Sequence, residues 1–288
     1  TVALQTSILA IVAIGMTFTI ITGGIDLSVG SVVALAGAVA AGLATRQGLS
    51  TPLAIGGGLL VGVAVGALSG MLVAFGRLPP FVATLATMAI ARGLTLVYTQ
   101  GRPIAGLSAS FISLGSGNLG GIPVPVFVLV LVAVIAYVLL AQTPFGLHLY
   151  AIGGGEETAR LAGISVNREK ILVYVISGFC SGLAGIILTG RLWSAQPNAG
   201  TLMELDAIAS AVLGGTSLAG GTGGILGTLA GSFIIGVLSN GLNLLAVPSY
   251  TQQVVKGLVF ILAVVLDYFL RERWVSKPRS RAEPQEDP

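Results

Sequence analysis

The chain has 288 residues, of which 54% are hydrophobic and only 9% are charged, with a formal net charge of +3 at pH 7. A soluble domain could not cover so much apolar surface with water-facing residues, so the composition excludes an ordinary soluble protein. The single histidine, His148, cannot form a metal cluster, and the single cysteine, Cys180, cannot form an internal disulfide.

Nine apolar runs follow one another, and most are near the length that crosses a bilayer as a helix. The runs are continuous rather than alternating, which argues against a β-barrel and leaves helices as the spanning structure. We therefore predict an all-α polytopic integral membrane protein. The nine predicted spans are Leu4–Ile21, Ser28–Ala44, Leu53–Phe75, Phe81–Tyr98, Pro123–Ala141, Ile171–Gly190, Glu204–Ala219, Ile225–Ala246 and Thr251–Leu270.

Both ends of the chain carry an expectation of their own. The sequence starts at Thr1 inside an apolar run, so we expect one further span before it and about ten in the intact protein. Residues 1–270 are predicted to form one transmembrane domain. Residues 271–288, which are rich in proline and mixed charges, are predicted to be a disordered basic tail.

The charges concentrate in two places and suggest an orientation. Of the 14 basic and 11 acidic residues, six lie in the stretch 142–170 and nine lie from Arg271 onward. With the tail inside, nine basic residues fall inside and three, Arg46, Arg102 and Arg191, fall outside. The stretch 142–170 and the C-terminus are then cytoplasmic, and the loop 101–122 is periplasmic. The basic residues follow the loops rather than an aromatic-lined face, so nucleic acid is not an expected partner.

Within the stretch 142–170, the segment Glu156–Ile164 (EETARLAGI) predicts a short amphipathic helix that docks on a partner. Its two acids are favourable near the N-terminus, and three preceding glycines, Gly153–Gly155, would let the loop reach out. A solvated interhelical loop is the alternative. The docking residues that we predict are Glu156, Glu157, Ala159, Arg160, Leu161, Gly163 and Ile164.

A cluster of glycines and one acid interrupts the first two apolar runs. Such a cluster can break a helix at membrane depth where the break faces protein or water. Asp26 could cap the following helix, or the break could act as a gate for the solute. The residues of this predicted break are Gly23, Gly24, Asp26, Ser28 and Gly30.

No residue set points to catalysis. The stretch Gly214–Gly224 lacks the Gly-Lys-Ser/Thr ending of a nucleotide-binding loop, and we interpret it as a tight turn between helices. No catalytic residue, bound cofactor or metal is expected in this chain. His148 is expected to be a solvated or interfacial loop residue.

Two basic residues lie inside predicted spans. Snorkelling to the membrane surface explains Arg92 and Lys256 as well as a role in a solute pathway does. Glycines spaced four apart indicate close helix packing rather than a pore lining. Loose pairs, Ile25–Ser28 with Leu205–Ile208 and Arg92–Leu94 with Lys256–Leu258, suggest an inverted repeat. Candidates for the solute pathway are Asn240, Asn243, Gln252 and Gln253.

Five blocks of sequence resemble the permease subunits of bacterial ATP-binding-cassette (ABC) importers for ribose and related monosaccharides. They are GGIDLSVGS (Gly23–Ser31), FVATLATMAIARGLTLVYTQG (Phe81–Gly101), YAIGGGEETARLAGISVNREKI (Tyr150–Ile171), SAQPNAGTLMELDAIASAVLGGTSLAGGTGG (Ser194–Gly224) and SNGLNLL (Ser239–Leu245). Their order and spacing cover nearly the whole chain short of the tail.

The resemblance implies a permease subunit in the bacterial inner membrane, surrounded by lipid. It implies a second permease copy, a cytoplasmic ATPase that binds ATP and magnesium, and a periplasmic sugar-binding protein. The docking pattern Glu-x-Ala-x-x-x-Gly of such permeases matches Glu157, Ala159 and Gly163, which assigns this segment as a coupling helix. A secondary transporter or channel working alone, and a membrane scaffold without transport, are the alternatives.

Overall fold

The computed structural model describes residues 2–275, and its helices confirm an all-α membrane protein. Two short antiparallel strands, β1 (Asn118–Leu119) and β2 (Ile122–Pro123), form a hairpin. The helices are α1 (Val2–Ile21), α2 (Val29–Thr45), α3 (Thr51–Ala74), α4 (Pro80–Thr99), α5 (Ala109–Ser116), α6 (Val124–Ala141), α7 (Pro144–Gly154), α8 (Glu156–Leu161), α9 (Val166–Arg191), α10 (Met203–Leu213), α11 (Ile225–Leu244) and α12 (Ser249–Val275).

Six described helices are long and apolar enough to cross a membrane, namely α1, α3, α4, α6, α9 and α11. Two shorter apolar helices, α2 and residues 250–265 of α12, match two further predicted spans. The predicted span Glu204–Ala219 is wrong as a full crossing. Helix α10 has 11 residues, about 16 Å, and ends at Leu213 before a glycine-rich turn.

The last helix extends into the first residues of the predicted tail. Helix α12 continues to Val275, five residues beyond the predicted end of the membrane domain. The remainder of the predicted tail, from residue 276, lies outside the described residues.

Helices α1 and α9 form the centre of the molecule. Helix α1 is apolar on every side and is buried from Thr6 to Ile21, as an interior helix must be. Its Gly15 lies directly against the backbone of Ser177 in α9. Gln5 and Ile8 near the start of α1 line a cavity with Leu188 and Arg191 at the end of α9, so the two helices run antiparallel.

The packing around this pair has the pattern that the predicted inverted repeat requires. Helix α3 packs on α9 as α11 packs on α1. Helix α2 packs on α3, α4 and α9, and α10 packs on α11, α12 and α1. Exchanging α1 to α4 with α9 to α12 therefore preserves these contacts, and the antiparallel central pair inverts one half relative to the other. One suggested sequence pair does not correspond, because Asp26 precedes α2 whereas Asp206 lies inside α10.

Glycines allow α3 and α9 to touch along their length. A side chain on Gly62 would collide with the carbonyl of Gly178, and one on Gly178 would collide with the carbonyl of Gly62. Gly66 and Gly70 approach the backbones of Tyr174 and Ile171 in the same way. The predicted role of this spacing in close helix packing is confirmed.

The N-terminal ends of α2 and α10 meet inside the molecule. Gly30, at the start of α2, lies against the carbonyl of Gly200, just before α10. From this point α2 runs alongside the last turns of α9, with Val33 against Gly185, while α10 runs to its contact with the start of α11, with Gly214 against Gly227. Two discontinuous helices thus begin at the same depth and run in opposite directions.

Candidate coupling surface and solute passage

The polar stretch 142–170 is mostly helical rather than a free loop. Helices α7 and α8 and the first turns of α9 fill it, and they share one side of the molecule with the α3–α4 connection. We call this the α8 side. The end of α2, the end of α9, α5 and the β-hairpin lie on the opposite side.

Helix α8 is anchored through its alanine. Ala159 is 2% exposed and packs in a small cluster with Ile152 of α7 and Val166 of α9. Ile164 is partly buried against the same cluster. Ala159 and Ile164 therefore hold the segment in place and are not its contact surface, contrary to the prediction. The reason is geometric: Ile164 follows the end of α8, and its N–H donates to the carbonyl of Ala159, so the chain turns both side chains toward α7 and α9.

The outward face of the segment is formed by other predicted residues. Leu161 is 82% exposed, and the Glu157 side chain is 81% exposed. Gly163 has a left-handed backbone with φ of +85° and open space around its Cα, which lets the chain turn sharply into α9. An apolar side chain and a charge thus project from a short, well-anchored helix, which is a suitable shape for a partner's groove.

Ion pairs connect α8 to the base of α9. The Glu156 carboxylate accepts hydrogen bonds from Lys170 at 2.5 Å and from Arg160 at 3.0 Å. The hydrogen bond from Lys170 lowers the pKa of Glu156 below its ordinary value of 4.5. Glu156, Glu157 and Lys170 also line a cavity of about 630 Å³. This cavity reaches Arg77 and Pro79, which follow α3. This cavity is open to a partner beside α8.

His148 is a helical residue rather than a loop residue, and its side chain is 38% exposed. It lies in α7, and its Nδ1 is 2.9 Å from an oxygen of Glu169, which is 8% exposed. The sequence could not show this contact, because the two residues are 21 positions apart and only the folding of α7 onto α9 brings them together.

Of the three glycines before α8, two belong to α7, and Gly153 is held by close packing. A side chain on Gly153 would collide with the carbonyl of Ile21 at the end of α1 and with Gly221 in the glycine-rich turn. The Tyr150 hydroxyl donates to the carbonyl of Gly223 at 2.8 Å, and the Gly221 N–H donates to the carbonyl of Ile21 at 2.9 Å. Helix α7 therefore contacts the turn 214–224 and the end of α1 at once, which the sequence reasoning missed.

A non-helical segment, residues 22–28, separates α1 from α2 and contains most of the residues predicted to form a helix break. Gly23 has a φ of +75°, and a side chain on Gly24 would come within 2.7 Å of the Tyr174 hydroxyl. Asp26 is 1% exposed and accepts from the Ser28 N–H at 3.0 Å and from the Ser28 hydroxyl at 2.6 Å. It also accepts from the hydroxyl of Ser177 in α9 at 2.7 Å. The carboxylate thus holds the turn before α2 and joins it to α9, and its bond goes to the residue before the helix rather than to the first helical turn.

Two of the four candidate pathway residues line a cavity. Asn243 and Gln252 border a space of about 250 Å³ on the opposite side, together with Arg191 and an ion pair between Lys256 and Asp206 at 2.6 Å. The amide of Gln252 donates to Asn243 at 3.0 Å. Asn240 and Gln253 are outside the lining of this cavity.

Comparison with known proteins shows which family has this sequence. The family described as "Branched-chain amino acid transport system / permease component" matches residues 1–264. The chain is 54% identical over 265 residues to the ribose import permease protein RbsC of Bacillus subtilis (strain 168), covering 91% of this chain and 82% of that protein. It is 51% identical over 270 residues to RbsC of Haemophilus influenzae, covering 92% and 83%. The xylose transport system permease protein XylH of Escherichia coli (strain K12) is 36% identical, with 93% and 84% covered. No solved structure matches.

The chain belongs to this permease-component family. As a permease component it is a non-catalytic, multi-pass subunit of the inner membrane. A permease component needs a surface that binds the subunit supplying its energy. Helix α8 is sufficiently exposed to provide such a surface. A permease component also needs a polar route for the solute.

Proposed function

We propose that the chain is the membrane-spanning permease subunit of an ABC importer for a monosaccharide of the ribose type. The main support is the order of sequence identities to the three kinds of sugar permease. The identity is 51–54% to ribose permeases, 44% to a D-allose transport system permease and 36% to a xylose transport system permease. The family description names branched-chain amino acids, but the sugar permeases match at high identity over at least 91% of the chain.

The α8 side faces the cytoplasm, where the coupling helix receives a separate ATPase. ATP and magnesium bind to that partner, and this chain binds no cofactor of its own. The opposite side faces a periplasmic sugar-binding protein, and a second permease copy in the same bilayer completes the passage. The exposure of Leu161 and Glu157 on an anchored helix supports this assignment of the docking surface.

Reconstitution in proteoliposomes tests the function. Proteoliposomes that contain the permease, its ATPase and its binding protein should accumulate labelled ribose when ATP is supplied on the side where the ATPase lies. Omission of the ATPase or of the binding protein should abolish this accumulation. If the permease alone accumulates ribose when a proton or sodium gradient is applied, the protein is a secondary transporter and the proposal fails.

The docking surface has a separate test. Leu161→Asp and Glu157→Arg each change an exposed side chain, so the permease should remain folded while ATP-driven uptake falls and the ATPase no longer copurifies. Leu119→Asp is the matched control, because Leu119 is 61% exposed on the β-hairpin of the opposite side. Gly163→Trp is a poorer probe, since any side chain at φ of +85° strains the backbone. Normal ATPase binding by both α8 variants would contradict the assignment.

A further inference from the structure

A strip of polar residues crosses a surface that is otherwise apolar. Arg92 is the one charged residue of α4, whose exposed neighbours include Ile90, Leu94 and Val97. Beside it lie Asn198, Thr201 and Glu204 on the α9–α10 connection and the start of α10. Asn198 and Thr201 are exposed, and Arg92 and Glu204 are partly exposed. We call these four residues the central polar strip.

The strip lies within the depth of the membrane-spanning helices. Arg92 precedes the end of α4 by seven residues, about 10 Å. Glu204 lies beside Gly30 at the start of α2, and Val33, one turn further along α2, packs on Gly185 of α9. Gly185 is six residues, about 9 Å, before the end of α9. Charged side chains at such depth are costly in lipid and normally face protein or a water-filled cavity.

Arg92 does not snorkel to the membrane surface. One of its terminal nitrogens donates to the carbonyls of Pro197 at 3.0 Å and Ala199 at 2.9 Å. These contacts hold the guanidinium at the α9–α10 connection. Its remaining N–H groups are donors in a fixed, planar arrangement.

The strip also lies where the two discontinuous helices begin. Glu204 is in the first turn of α10 and its carboxylate reaches the start of α2 at Gly30. The residue before α10, Leu202, has a left-handed backbone with φ of +63°, a conformation that costs energy for a side chain of this kind. Solute sites in transporters typically form near the midplane at such helix interruptions.

The chemistry of the strip matches a neutral polyhydroxylated solute. Each sugar hydroxyl can both donate and accept, and the strip offers guanidinium and amide donors with carboxylate, amide and hydroxyl acceptors. Among the described residues, the Glu204 carboxylate forms no ion pair within 4.0 Å. We propose that the central polar strip lines the solute passage and hydrogen-bonds to the sugar as it crosses. The inference rests on the proposed function for the identity of the solute.

Cysteine accessibility tests whether the strip faces water. Thr201→Cys in a Cys180→Ala background should react with a small membrane-impermeant thiol reagent added from the outer side, and ribose with its binding protein should slow the reaction. Leu60→Cys is the control, because Leu60 is 69% exposed on the apolar surface of α3 and should stay unreactive. Asn198→Cys replaces Thr201→Cys if the latter does not fold. Lack of reaction at both positions, with Leu119→Cys reactive, would mean that a second chain or lipid covers the strip and would overturn the proposal.

Transport kinetics test the hydrogen bonds. Glu204→Gln and Arg92→Gln should each raise the KM of ATP-driven ribose uptake about tenfold, since each removes one charge-assisted hydrogen bond. Glu204→Asp should recover part of the loss. A structural role alone would lower the amount of folded permease without raising KM, and unchanged KM in both variants would overturn the role in solute contact. If the wild-type system transports no ribose while Thr201→Cys still reacts, the proposed solute is wrong but the water-lined strip stands.

Discussion

Asp26 shows at the scale of one residue how a buried charge can organise a membrane protein. Its three hydrogen bonds come from two separate elements, two from Ser28 just before α2 and one from Ser177 in α9, which lies 151 residues after Asp26. A buried carboxylate without such donors would be strongly unfavourable. The residue therefore couples the position of the α1–α2 break to the middle of α9.

We expect Asp26→Ala to destabilise the protein by about 1–3 kcal/mol, because the buried Ser177 hydroxyl loses its carboxylate acceptor. Thermal unfolding in detergent and ribose uptake are the measurements. Asp26→Asn keeps one acceptor oxygen and should lose less. If the alanine variant unfolds at the wild-type temperature and takes up ribose at the wild-type rate, the contact does not stabilise the protein.

Glu156 predicts a pH dependence on the α8 side. Its pKa is lowered in the folded protein by the hydrogen bond from Lys170, so the unfolded state binds its proton more readily. The stability from this contact is present above pH 4.5 and is lost as the pH falls through the lowered folded pKa. The contribution is modest because the Glu156 side chain is 43% exposed.

Melting temperatures measured below and above pH 4.5 test this link. The wild type should lose melting temperature on the acid side more steeply than Glu156→Gln, and Lys170→Met should lower it at neutral pH. Arg168→Met is the control, since Arg168 is exposed and forms no ion pair with the described residues. Equal acid slopes in the wild type and Glu156→Gln would refute the assignment.

At the scale of elements, the contact between α3 and α9 depends on the absence of side chains. Two glycines of α9, one turn apart, differ in a testable way. A Cβ on Gly178 would collide with the Gly62 carbonyl, whereas a Cβ on Gly182 would make ordinary contacts at 3.5 Å or more.

We therefore expect Gly178→Ala to destabilise by about 1–3 kcal/mol through overpacking. Gly182→Ala should be neutral or slightly stabilising, because alanine favours helix over glycine by about 1 kcal/mol. Thermal unfolding of both purified variants in the same detergent gives the comparison. A larger loss in Gly182→Ala than in Gly178→Ala would contradict the packing described for this helix pair.

At the scale of the whole molecule, the two sides differ in charge and shape. The α8 side carries the Glu156–Lys170–Arg160 network and the cavity of about 630 Å³, and the opposite side carries α5 and the β-hairpin. We expect the α8 side to be cytoplasmic, because basic residues are retained on that side of the membrane.

Labelling of single cysteines in intact cells tests the orientation. In a Cys180→Ala background, Leu119→Cys should react with an impermeant maleimide and Thr158→Cys should react only after the cells are opened. Both positions are exposed, so access to the reagent depends on the side of the membrane. Reaction of Thr158→Cys from outside would invert the topology.

The sequence by itself determined the helical class, most of the spans and the position of the short helix α8. These features follow from hydropathy and helix signals, which are properties of neighbouring residues. It could not show that α10 is half a span, that Ala159 faces inward, or that His148 meets Glu169. Arg92 illustrates the reason: it donates to a carbonyl 105 positions away, so whether it snorkels or lines a passage depends on where α4 and the α9–α10 connection pack. Only the tertiary structure decided these points, since the two helix interruptions meet through contacts that no local pattern encodes.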